Sequence, residues 1–134
     1  MIFDRELCFV FEGKIQDFAG GPVGDVIDLG ADRQLHGRES FVAVKCFEDM
    51  TATGDPVIKL GLEFSDDEEF TDPVTVPLSL PELAKEDFKA GSLVGARSPL
   101  YSKRYVRLVL DADGDVTCAE FNAGFVLDLQ TNDV

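Results

Sequence analysis

The chain has 134 residues, 45% of them apolar and 28% charged, which suits one folded domain with a core of its own. Its 12 Lys and Arg against 26 Asp and Glu leave a net charge of -14. That charge repels phosphate backbones and argues against DNA or RNA as a partner. No run of about 18 apolar residues occurs, so no transmembrane helix is expected. Residues 1–6 are acidic where a secretory signal would be basic. The expectation is a single domain over residues 1–134, made in a cytoplasm and not held in a membrane.

In chain order, residues 7–11 (Leu-Cys-Phe-Val-Phe) form a first short strand, and Gly20-Gly21-Pro22 breaks the chain. Residues 26–30 read as a second strand, 31–40 as a polar loop, and 41–47 as a strand apolar on both faces except at Lys45. Residues 57–64 alternate, with Ile58, Leu60, Leu62 and Phe64 facing in and Lys59, Gly61 and Glu63 facing out. An acidic loop follows over 65–70. Residues 74–80 carry Pro77, which cannot donate to a ladder and so marks an edge strand. Residues 81–88 are the one helical candidate, about two turns long, with Ser79 and Glu82 spaced as a capping box. Residues 92–96 are a weak strand.

The most regular stretch is 104–130. Val106, Leu108 and Leu110 share one face of a strand. Phe121, Ala123, Phe125, Leu127 and Leu129 share a face of another. Asp111-Ala112-Asp113-Gly114-Asp115 between them reads as the turn of a β-hairpin. About eight short strands and little helix point to an all-β, two-sheet antiparallel jelly-roll sandwich with one short helix.

Residues suited to catalysis are sparse. His36 is the only histidine, too few for a zinc or cupin-type centre and a poor basis for a serine triad. Cys8, Cys46 and Cys118 lack metal spacing and read as reduced core residues. No cofactor is expected. Residues 111–115 resemble the start of a calcium loop, but Gly114 stands at position four and Asn122 at position twelve, so the EF-hand pattern fails. With 26 carboxylates, a glycosidase pair cannot be picked out by spacing. Two features suit an interface instead. Phe70, amid acidic and turn residues, is either a loop anchor or an interface contact, and Phe3 also falls outside the core pattern. Arg97, Lys103, Arg104 and Arg107 form the densest basic cluster. It serves either internal ion pairs or a patch for an acidic partner surface.

Several stretches together resemble the jelly-roll cement, or decoration, proteins of tailed-phage capsids. They are Met1-Ile2-Phe3-Asp4-Arg5-Glu6-Leu7, Val26-Ile27-Asp28-Leu29-Gly30, Phe64-Ser65-Asp66-Asp67-Glu68-Glu69-Phe70, Arg104-Tyr105-Val106-Arg107-Leu108 and Ala123-Gly124-Phe125-Val126-Leu127-Asp128. The chain departs from that family after its first strand, where Phe11-Glu12-Gly13-Lys14 replaces a polar serine-aspartate-alanine-glutamine turn. The resemblance implies a non-enzymatic structural protein of the virion, on the outer capsid surface. Its partner would be the phage major capsid protein, and it would be a homo-oligomer, a dimer or trimer. The alternative is a jelly-roll binding module, a carbohydrate- or calcium-dependent lectin-like domain, suggested by the fold and by the acidic loops at 66–69 and 111–115.

Overall fold

One strand organises the molecule. In the computed structural model, which describes residues 8–28, 41–98 and 103–126, β7 (Tyr105–Val126) runs for 22 residues. Along one side it pairs with β1 (Cys8–Asp28), itself 21 residues long. Along the other side it pairs in turn with β4 (Ile58–Ser65), β3 (Thr51–Ala52) and β2 (Phe41–Cys46). The edge strands β5 (Val74–Pro77) and β6 (Leu93–Arg97) pair with β4 and β2. Every pairing is antiparallel. The result is a mostly-β, antiparallel, curled sheet.

The hairpin expected at 104–130 is not formed; β7 passes straight through residues 111–115. The three aspartates continue the period-two pattern instead of breaking it. Asp111, Asp113 and Asp115 are exposed, and Ala112 and Gly114 between them are half-buried. The backbone there keeps partners, on the β1 side at Asp111 and on the opposite side along the stretch. Gly20 pairs with Asp111, Asp113 N donates to Val57 O, and Thr53 N donates to Asp115 O. Residues favoured in turns therefore serve as one solvated face of a strand.

Similarly, Gly20-Gly21-Pro22 does not end β1. Gly20 and Gly21 have φ of 124° and 127° and stand beside a register shift, where the step from Phe18 to Gly20 spans Val116 to Asp111 on β7, so the extra residues of the irregularity belong to β7. Pro22 is tolerated because the only described neighbour of β1 is β7. Of the expected strands at 7–11 and 26–30, the described parts, 8–11 and 26–28, thus belong to one element. Pro77 closes β5, an edge strand as expected. The short helix is smaller than expected, a single 3-10 turn over Lys85–Phe88. Its N-cap is Ala84, whose backbone N donates to Asp87 Oδ2 at 2.8 Å.

The core lies inside the curl. The two expected apolar faces of β4 and β7 meet there: Ile58, Leu62, Phe64, Val106 and Leu108 have no exposed surface. Phe9 from the start of β1 packs against Phe125, with ring centroids 5.3 Å apart, in the same cluster as Val23 and Ile27 from the end of β1. The curl brings those two ends of β1 into contact. A Cβ on Gly24 would collide with the carbonyl oxygen of Phe9, and Gly24 has φ of 77°. Cys8, Cys46 and Cys118 are free thiols, two buried and one half-buried. Burial pushes the Cys46 thiol up to about 11, with Lys45 pulling the other way.

Candidate functional site

Three of the stretches singled out in the sequence meet at one end of the sheet, where β1, β7 and β4 run side by side. Register places Glu63 opposite Arg107 and Ser65 opposite Tyr105, with Asp28 opposite Tyr105 from the other flank. Glu63 and Arg107 both stand on the outward face, since Leu62, Phe64, Val106 and Leu108 take the inward one. Arg107 Nε donates to Glu63 Oε1 at 2.7 Å, and Arg107 Nη2 donates to the same oxygen. The guanidinium lies 4.0 Å from the centre of the Phe70 ring, a cation–π contact on a half-buried ion pair.

Phe70 is an anchor. It is only 6% exposed, and its φ of 54° turns the chain back onto the sheet. The loop before it is organised by Asp67. Ser65 Oγ donates to Asp67 Oδ1 at 2.7 Å, Thr71 Oγ1 donates to Asp67 Oδ2 at 2.6 Å, and Thr71 N donates to Oδ1 at 3.2 Å. These donors, Thr71 first, hold the Asp67 carboxyl below its usual range.

The basic cluster is taken up by the same end. Lys103 Nζ lies 2.7 Å from Asp66 Oδ2. Arg104 makes a two-toothed pair with Asp28, Nε to Oδ1 at 2.9 Å and Nη2 to Oδ2 at 3.0 Å. Its guanidinium is thereby held even more firmly in the charged form. Arg97 stands apart, its guanidinium 5.9 Å from the centre of the Phe41 ring. Of the residues expected at an interface, Phe70, Lys103, Arg104 and Arg107 are thus brought together, each with contacts inside the chain. Phe3 and His36 lie outside the described residues.

Sequence reasoning missed the partners. Glu63 had a signal, the same outward parity as Arg107 on neighbouring strands. Asp28 and Asp66 had none, because the pairings span 76 and 37 positions of sequence.

The acidic stretch of β7 offers no converging ligand set. Asp111, Asp113 and Asp115 project from one strand face at intervals of roughly 7 Å, and Asp113 Oδ1 accepts a hydrogen bond from Val57 N at 2.6 Å. Among the described residues no three His, Cys, Asp or Glu side chains cluster as metal ligands.

A different surface lies at the other half of the sheet. Phe11 on β1 and Phe47 at the end of β2 are 40% and 41% exposed. Phe47 N donates to Glu120 O, and Phe11 falls between Val10, opposite Ala123, and Gly13, opposite Phe121. Phe47 follows the core residue Cys46 and so points outward, whereas Phe11 lies within the register shift between Val10 and Gly13.

No protein-family model matches the chain, and no curated protein matches it.

Proposed function

We propose that the chain is a non-enzymatic capsid cement protein of a tailed phage. It would bind the outer surface of the head and brace neighbouring subunits of the major capsid protein. The curled sheet is then the two-sheet jelly roll of the family the sequence resembles. Self-association as a dimer or trimer and a place in the virion belong to the same proposal.

The observation that carries the reading is the order of the resembling stretches along the chain. Their arrangement supports it. Residues 26–28, 64–70 and 104–108 interlock through the Asp28–Arg104 pair and the stacking of Arg107 on Phe70. Residues 123–126 pair with β2, and Ala123 and Gly124 pair with β1 as well. Stretches far apart in sequence thus form one connected framework, which suits a protein that bears load. A lattice of such copies gains strength from many moderate contacts, without a single strong site.

The test is co-sedimentation with heads of the phage encoding the chain, stripped of decoration. Saturable pelleting at a fixed ratio to the major capsid protein, with heads that then resist heat, is the expected result. Well-folded protein that neither pellets nor protects the heads contradicts it.

A further inference from the structure

Of the two edge strands, β5 is the more open. Val74, Thr75 and Pro77 are exposed, as are Asp72 and Pro73 just before them, and only Val76 is half-buried. In β6 only Arg97 is exposed. Among the described residues β4 is the one strand that pairs with β5. An exposed run of β-branched residues on a sheet edge is what another chain can extend, by pairing with its outward N–H and C=O groups.

The pairing with β4 decides which groups those are. Leu78 N donates to Leu60 O at 3.0 Å. The same register sets Leu62 opposite Val76 and Phe64 opposite Val74. Ladder bonds of an antiparallel pair fall on every second residue, so Val74, Val76 and Leu78 turn their backbone groups to β4. Thr75 and Pro77 turn theirs away, and Pro73, one step before the strand, has the same parity by position. Two of these three outward positions are therefore proline, which has no N–H. Thr75 carries the only donor of the three. The positions are selective. A proline at 74 or 76 would remove a bond to β4, whereas prolines at 73 and 77 leave that ladder intact and strip the outer edge alone.

We infer that Pro73 and Pro77 together bar strand addition to β5, so that neither a second copy of the chain nor any other extended segment joins the sheet there. The inference stands independently of the capsid reading. Combined with it, it places the dimer or trimer contact elsewhere than on the backbone edge of β5.

Two measurements test it. In residue-resolved amide exchange of wild type, in whatever oligomer it forms, Thr75 N–H is expected to exchange about tenfold or more faster than the N–H groups of Val76 and Leu78. In sedimentation velocity, the double variant Pro73→Thr with Pro77→Thr has an outward donor at each of the three positions. It is expected to form species larger than those of wild type, growing with concentration. Adding Thr75→Lys, a charge on that edge, is expected to reduce them. Pro81→Thr, at an exposed proline outside the strands, serves as control and is expected to sediment as wild type. Should the double variant fail to fold, Pro73→Thr alone takes its place. A Thr75 amide as slow as that of Val76 overturns the inference. So does a folded proline variant that sediments as wild type at every concentration, or one whose larger species Thr75→Lys leaves unchanged.

Discussion

The two halves of β7 share one alternation and differ in what lies on their outward side. Over residues 105–110 the pattern is one-sided: Val106, Leu108 and Leu110 are buried, while Tyr105, Arg107 and Val109 are half-buried. Over 121–126 every residue is buried. The first half closes its outer face with long side chains that reach across strands, as Arg107 reaches Glu63. The second half closes it with short ones. Ala43 stands opposite both Gly124 and Gly95, and Gly124 stands opposite Cys8. An outer face made of long paired side chains accepts exchange at moderate cost. One made of small residues, with Ala43 fully buried, accepts almost none.

The sharpest way to break this contrast is to place a charge on each outer face. Ala43→Asp is expected to cost about 4 kcal/mol or more, the scale of an unpaired buried charge, whereas Lys59→Asp at an exposed outward position of β4 costs within about 0.5 kcal/mol. Urea unfolding of the two proteins measures the gap, and equal costs would remove the distinction.

Next in size is Gly24→Ala at the contact between the two ends of β1. The new methyl meets the Phe9 carbonyl, and the backbone is left-handed at φ 77°. A loss of about 2–4 kcal/mol is expected from strain and overpacking together. Gly54→Ala has a similar φ of 71° with open space around it, and isolates the strain alone. If the two substitutions cost the same, the closure at Gly24 contributes nothing.

Arg107→Ala leaves Glu63, whose side chain is 15% exposed, without its partner and uncovers Phe70. A cost of about 1–3 kcal/mol is expected in urea unfolding. Arg104→Ala, at a pair with both side chains nearly half exposed, is expected to cost less than Arg107→Ala in the same measurement.

The smallest effects are chemical. Asp67 has a lowered folded pKa, so its contribution is present above the unfolded value and is lost as pH falls through the folded one. Asp67→Asn should therefore flatten the acid limb of a melting-temperature profile below the ordinary Asp range and leave its alkaline limb unchanged. Cys46 behaves in the opposite sense. Its folded pKa is raised to about 11, so the stability tied to its neutral thiol is complete below the ordinary thiol value and fades as pH climbs towards 11. Thiol titration of the native protein should label the half-buried Cys118 first and reach Cys8 and Cys46 only on unfolding.

The faces of the strands were legible in the sequence because period-two burial is a local property. Ile58 to Phe64 and Val106 to Leu110 point as their alternation says, and Pro77 sits on an edge because it lacks a donor. Strand length was not legible. Asp111 to Asp115 and Gly20-Gly21-Pro22 carry residues that favour turns when nothing else holds the chain. Here Gly20 lies opposite Asp111 and Pro22 opposite Val109, while residues 112–115, passed over by β1, are held extended by Ile58, Val57 and Thr53 on their other side. The anchoring of Phe70 follows from one aromatic in an acidic loop. Its cover by Arg107 depends on the register between β4 and β7, which no local pattern encodes.

Hydrogen–deuterium exchange of the protein free and bound to stripped heads tests most directly whether the paired end of the sheet is framework or contact. As framework, residues 63–71 and 103–107 keep their exchange rates on binding. Protection centred on Phe70 and the Arg104–Arg107 pairs would contradict it and return the basic cluster to the interface.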